Sequence, residues 1–441
     1  MNVKKISFGL FGGALFTACL TAIHMGTINK RVLAEENMAY HLEEMLTPVW
    51  EGEISYQESV LPIRDFDNSV APIPLLYPAE EILEVKSASL STVYKEGVDY
   101  TLSDGELVIL ENGSIPTLSY MAFHPTGNDL NIQAADGGYL CFHEGDWFHS
   151  RQIVVTYRHK ADYKGYIPKG KADRLPNTLQ RLENKEDIDL LVFGDSISVG
   201  ANASGYLNVA PFLPTYPELF AKGLEEKYGV KVNVRNFSVG GQTSAWGAQE
   251  IANVLSQVDN VDIAIVAFGM NDARLNHDVY LSNTTAISDA IRAKFTHAET
   301  LLIAPMLPNP NAVGFWGNQV SFYETLEAYE STAPSGVAVV NVTKVHESLF
   351  GRKRYADMTG NNVNHPNDYL TRVYAQTLLK TLEEEPIEEE KDEPCVMPEE
   401  SNSIAKKTGC GSAISSIGGG ATVVALGCAV IAKKRKDKSR P

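Results

Sequence analysis

A chain of 441 residues with a formal net charge of −17 is too long for one ordinary domain, and too acidic for a nucleic-acid partner, whose phosphates require a basic surface. A hydrophobic share of 44% places it among globular proteins. The acidity is partly local, since Glu383 to Glu400 holds ten acidic residues against one lysine, about half of the excess.

In chain order, residues 1–34 read as a secretory signal or an uncleaved N-terminal anchor. Lys4 and Lys5 precede a nearly all-apolar run from Ile6 to Gly26, and Val32-Leu33-Ala34 supplies small or apolar residues at a cleavage position. Residues 45–162 carry a strand-rich pattern. Val93 to Leu102 and Glu106 to Leu110 flank Ser103-Asp104-Gly105 as strand, turn and strand, and Gln152 to Tyr157 is another strand, so a β-sandwich is expected. His124, His143, His149, Asp146 and Trp147 in this region match no ligand spacing and read as loop residues. Residues 163–186, with Pro168, Gly170 and Pro176, read as a linker.

From 187 to 384 strands and helices alternate. Apolar strands are expected at Leu190–Phe193, Val230–Phe237, Ile263–Phe268, Thr300–Ala304 and Val337–Val342, with helices at Tyr216–Tyr228, Gln242–Val258, Thr285–Phe295, Val320–Thr332 and Asp368–Glu384. That alternation calls for a parallel sheet covered on both faces. Residues 385–413 form an acidic, disordered linker. Residues 414–432 are a glycine-rich apolar run long enough to cross a bilayer as a transmembrane helix, and 433–441 are a basic tail that the positive-inside rule keeps in the cytoplasm. The two apolar termini together predict a protein secreted and anchored at the surface of a Gram-positive cell. Cys19, Cys141, Cys395, Cys410 and Cys428 show no CxxC pair or metal-like spacing, so neither a disulfide framework nor a metal is expected.

Candidate chemistry gathers at strand ends. Leu190 to Phe193 stops at Gly194-Asp195-Ser196, which projects Ser196 as a nucleophile from the carboxyl edge of the sheet. Asn236-Phe237-Ser238-Val239-Gly240-Gly241 opens the next helix, where glycine amides can approach a developing negative charge. Gly269-Met270-Asn271-Asp272 places an uncharged amide donor at the same edge, suited to an oxyanion. His365, ahead of the last helix, can reach back over the edge as a general base.

These four segments, in this order, resemble the SGNH (GDSL-like) hydrolase superfamily over residues 187–384. The resemblance implies a flavodoxin-like α/β/α sandwich with Ser196 as nucleophile and His365 as base. It implies an oxyanion hole formed by Ser196, Gly241 and Asn271, and ester hydrolysis without metal or cofactor. The layout also resembles two-domain carbohydrate esterases, in which a β-jelly-roll precedes the hydrolase domain.

The family places aspartate three residues before the histidine, where this chain has Asn362, a candidate to orient His365 whose amide oxygen can still accept from the imidazole but brings no full charge. Three readings follow: a Ser–His dyad oriented by a backbone carbonyl, which is preferred; a substitute acid such as Asp357; or a weakened enzyme. The expected activity is hydrolysis of small acyl esters, acetyl above all, on a carbohydrate. Trp246 and Trp316 are aromatic candidates for a sugar platform. Competing readings are a surface carbohydrate-binding or adhesion protein with a retired hydrolase domain, and a lipase or thioesterase of the same fold. Oligomeric state is not legible from the sequence.

Overall fold

The computed structural model describes residues 40–385. The expected signal segment 1–34, nearly all of the acidic linker, the apolar run 414–432 and the basic tail lie outside the described residues. Among the described residues, no helix is long and apolar enough to cross a membrane.

Two antiparallel sheets make up the first part. Strands β1 (Ile54–Val60), β3 (Glu81–Ser87), β4 (Val93–Tyr94) and β7 (Ile153–Arg158) form one in the order β1-β7-β3-β4, and β2 (Ile73–Pro74), β5 (Tyr100–Ser103) and β6 (Glu106–Ile109) form the other in the order β2-β6-β5. The β5–β6 hairpin closes through Asp104 and Gly105, both at positive φ, as a two-residue loop between right-twisted strands requires. The expected long strand from Val93 to Leu102 is instead broken after Tyr94. The Asp99 carboxylate accepts from the Lys95 N–H at 2.8 Å and from the Ser114 N–H at 2.7 Å, which folds the intervening residues into a turn through Gly97. The stretch expected as a linker contains helix α1 (Pro176–Glu183), which begins on proline and buries Leu182, with Leu175 buried just ahead of it.

Five parallel strands form the central sheet: β8 (Ile188–Gly194), β9 (Val232–Asn236), β10 (Ile263–Ala267), β11 (Glu299–Ala304) and β12 (Val337–Asn341), in the order β12-β11-β10-β8-β9. This is the flavodoxin-like order, and its switch point lies beside β8. Alternate side chains of β8 go to opposite faces. Leu190 and Val192 join a core with helices α3 (Tyr216–Tyr228), α7 (Val342–Leu349) and α8 (Asp368–Thr381). Leu191 and Phe193 join another with α4 (Ser244–Leu255), α5 (His277–Lys294) and α6 (Phe322–Glu330). The result is a three-layer α/β/α sandwich. Helix α5 starts at His277 rather than Thr285, because the Asn276 side chain caps the Val279 N–H at 2.8 Å. Helix α7 was not expected, since its first residue, Val342, continues the apolar run of β12.

The antiparallel sheets share a core with the sandwich. Val60, Val155 and Tyr157 belong to the same buried cluster as Val192, Leu370 and Val373. Polar contacts bind the same surfaces. The Lys353 ammonium lies 2.6 Å from Glu58 Oε1 with both side chains buried, and also donates to the Ser59 carbonyl. The Asn367 amide donates to Ser59 Oγ and Gln152 Oε1, and the Gln152 amide donates to the carbonyls of Ala356 and Thr359. The segment Lys353–Asn367, which carries His365, is therefore braced by the antiparallel region.

Candidate active site

The nucleophile position is built by the end of β8. A side chain at Gly194 would place a Cβ 2.5 Å from both the Ala267 carbonyl and Ser198 Oγ, so the turn requires glycine. Asp195 accepts from the Ile197 N–H at 3.0 Å and caps helix α2 (Ser196–Val199), whose first residue is Ser196. Burial pushes the Asp195 carboxyl up to about 7, while that cap bond and the nearby His365 pull it down.

Around Ser196 the two neighbouring strand ends close in. The Asn236 amide donates to the Ser198 carbonyl at 2.7 Å, which ties the end of β9 to α2. A Cβ on Gly240 would lie 3.7 Å from the Ser196 Cβ, and Gly241 turns the chain at φ +76°. The Val239 N–H donates to Gly194 and the Gln242 N–H to Val239. The N–H groups of Gly240 and Gly241 between them have no backbone acceptor among the described residues. Asn271 donates one amide hydrogen to the Gln242 carbonyl at 2.9 Å and keeps the second. Asp272 holds the start of α4 by accepting from the Ser244 N–H and Oγ; burial raises its carboxyl and these bonds oppose the rise. Ser196, the Gly240–Gly241 amides and Asn271 thus assemble at one sheet edge.

His365 Nε2 lies 2.9 Å from Ser196 Oγ, and Nδ1 lies 2.6 Å from Asn202 Oδ1. Asn202 Nδ2 donates to the Gly145 carbonyl at 3.0 Å, and a carbonyl can only accept. That contact orients the amide with its oxygen on the imidazole; Asn361 Nδ2 also lies 3.0 Å from Nδ1, but the oxygens of Glu144 and Asn364 take its two hydrogens, so the proton is assigned to Nδ1 and the Nε2 lone pair to the serine hydroxyl. The loop is pinned by Asn361, whose Oδ1 accepts from the N–H groups of Val363, Asn364 and His365. Asn361 Nδ2 donates to Glu144 Oε1 and Asn364 Oδ1, both at 3.1 Å. Glu144 Oε2 is 3.7 Å from His365 Nδ1.

Four expectations are corrected. Asn362 does not touch the histidine: at φ +63° its side chain turns away, its amide donating to the Cys141 carbonyl and its oxygen accepting from Asn309 Nδ2. Asp357 is occupied elsewhere, accepting from the Leu61 N–H and from Arg354. Trp246 is no open platform, because it packs against Phe193 and Phe268 with ring centroids 5.5 and 6.3 Å away. Trp316 is 45% exposed. The imidazole is oriented by a side-chain amide rather than the expected backbone carbonyl. Asn202, Asn361 and Glu144 were missed, and Glu144 could not have been found from a local pattern, since it lies 221 residues before His365 in a loop of the antiparallel region. Among the described residues, no group of three or more His, Cys, Asp or Glu could hold a metal ion.

A serine hydroxyl in hydrogen-bond reach of an imidazole at the switch point is an arrangement able to attack an ester carbonyl. Residues 192–372 match the model of the GDSL-like lipase/acylhydrolase family. A crystal structure of a two-domain esterase (CEX) active on acetylated mannans, with mannopentaose, is similar at 21% identity and TM-score 0.39, over 50% of this chain and 57% of that one. The chain thus matches less than two thirds of that protein's length. TesA is similar at 20% identity and TM-score 0.33, over 44% of this chain and 98% of its own. A lipolytic G-D-S-L family member from Veillonella parvula DSM 2008 is similar at 18% identity and TM-score 0.35, over 44% and 97%. No curated protein matches the chain by sequence.

Proposed function

We propose that this protein is a serine esterase that removes small acyl groups, acetyl above all, from carbohydrate outside the cytoplasm. The observation that carries the reading is the 2.9 Å contact between Ser196 Oγ and His365 Nε2, together with the orientation of Asn202 that leaves Nε2 free to accept. His365 takes the hydroxyl proton as Ser196 Oγ bonds to the ester carbonyl carbon. The carbonyl oxygen becomes an oxyanion facing the Ser196, Gly240 and Gly241 amides and the free Asn271 hydrogen. Collapse transfers the proton from Nε2 to the leaving alcohol, and water then releases the acyl group by the same route.

A carbohydrate substrate draws support from a cavity of about 460 Å³ behind the histidine loop, where Tyr120, Phe123 and Tyr139 meet Arg64, Asn309 and Asn362. Flat rings among planar polar groups suit sugar faces and hydroxyls. Secretion and surface anchoring rest on the apolar patterns of residues 6–26 and 414–432 and the basic tail. The test is acetate release from nitrophenyl acetate and from acetylated polysaccharides by wild type and Ser196→Ala. Release that is lost in the variant is the expected result, and equal release by both sinks the proposal. Fractionation of producing cells checks the anchoring, which fails if the protein is recovered wholly soluble.

A further inference from the structure

The geometry points to Glu144, a residue of the antiparallel region, as the anionic positioning residue of the Ser196–His365 pair, occupying by space rather than by sequence the role of the missing third acid. This rests on the esterase reading above. The Asn202 amide that touches Nδ1 is neutral and cannot balance the imidazolium that forms when His365 takes the serine proton. Glu144 places Oε2 3.7 Å from Nδ1.

Its position is built. Oε1 is held by Asn361 Nδ2, whose orientation is fixed in turn by the three backbone N–H groups on Asn361 Oδ1. The residues flanking Glu144 are anchored as well. His143 stacks on Trp147 with centroids 4.1 Å apart, Arg151 covers the same indole at 4.1 Å, and Phe148 is fully buried. The Gly145 carbonyl accepts from the Asn202 amide, and Phe142 packs in one cluster with Val363. One short loop therefore supplies both the contact that orients the Asn202 amide and a negative charge beside the ring.

The side chains that touch the His365 ring, those of Ser196, Asn202 and Asn361, are neutral; the acids that act on it are Glu144 and, once it has lost its own proton, Asp195. On Glu144, burial acts to raise the carboxyl, but His365, Asn361 and Asn202 together leave it below the usual carboxylate range. It is therefore an anion throughout the neutral range. In the reaction Glu144 exchanges no proton. The hydroxyl proton moves to Nε2, the other proton stays on Nδ1 in its hydrogen bond to Asn202 Oδ1, and the carboxylate lowers the energy of the charged ring.

Glu144→Gln in the full chain tests this, because glutamine keeps an acceptor for Asn361 while losing the charge. With the side chain half exposed, the expected effect is about a five- to tenfold fall in Ser196-dependent kcat with little change in KM. The acidic limb of kcat/KM moves roughly half to one pH unit lower, because an imidazole without its anion stays neutral further into acid. Unchanged rate and limb overturn the inference, as does a rate loss with the limb unmoved, which marks a merely structural role. Titration of the His365 ring by NMR in the wild type and Glu144→Gln separates this inference from the esterase reading. If acetate release proves independent of Ser196, the esterase reading fails. A downward move of the His365 midpoint then still upholds the Glu144–His365 coupling, and an unmoved midpoint overturns it.

Discussion

Replacing Lys353 by methionine tests whether the antiparallel region braces the histidine segment. In the native protein Glu58 is fully buried and satisfied. Oε1 accepts from Lys353 at 2.6 Å and from the Leu76 N–H at 2.9 Å, and Oε2 accepts from the Tyr157 hydroxyl at 2.7 Å. The ammonium also lies 5.3 Å from the centroid of the Tyr369 ring. Methionine fills the space of the lysine stem but leaves a carboxylate in the core with hydrogen bonds and no counter-charge. Breaking such a buried pair from one side costs about 3–5 kcal/mol, far more than an exposed pair would. Chemical denaturation at pH 8 reads this loss directly. At pH 5 the deficit shrinks, because the orphaned carboxylate can be relieved by taking up a proton. Adding Glu58→Gln removes the uncompensated charge and recovers a large part of the loss, so the two substitutions are strongly non-additive. A loss below about 1 kcal/mol at pH 8, or additive effects in the double variant, would refute the reasoning.

Asn202→Ala removes the acceptor on Nδ1 and the donor to Gly145. A hydrogen bond to a charged group is worth about 1.5–3 kcal/mol, so Ser196-dependent kcat/KM falls roughly 10- to 150-fold, and a change under twofold in steady-state kinetics would exclude the assigned role. Asn362→Asp restores the residue type that the family pattern favours, yet it gains no rate, because the side chain faces the Cys141 carbonyl. A stability loss of about 1–3 kcal/mol is expected in thermal melts, and a faster enzyme would contradict the geometry. Asp195 holds its proton up to about 7, whereas the unfolded chain releases it near 4, so native stability falls as pH rises between those values, by roughly 4 kcal/mol in all. Asn at this position keeps the cap without the titration. Asp195→Asn therefore gains on the wild type in denaturation at pH 8 relative to pH 4, and an equal difference at both pH values would count against the assignment.

The parts of the fold that could be read from the chain are those whose burial is two-sided. Leu190 to Phe193 and Ile263 to Phe268 are continuous apolar runs because both faces of a parallel sheet are covered. The four candidate blocks could be picked out for a related reason: each sits where such a strand stops or the last helix starts. Short antiparallel strands carry less signal. The bend that Asp99 imposes between β4 and β5 depends on Ser114, fifteen residues away, and no local pattern announces it. The histidine's partners were hidden in the same manner. Spacing along the chain pointed to Asn362, but its left-handed backbone aims that side chain at Cys141 and leaves Asn361 to reach back toward the ring's surroundings. The residue whose oxygen accepts from Nδ1, Asn202, belongs to the segment that follows Ser196.

Apart from the Glu144 carboxylate, the loop Cys141–Phe148 serves the site through its backbone: the carbonyls of Cys141 and Gly145 receive the amides of Asn362 and Asn202. Every amino acid brings a carbonyl, so this part of the support is written in the path of the chain and not in its letters. The loop can drift through many substitutions while the imidazole keeps its proton on the same nitrogen, provided that Phe142 and Phe148 still seat it. An insertion of a single residue, which changes no side chain at all, would be the more damaging event, because it would slide both carbonyls out of register with the asparagines they hold.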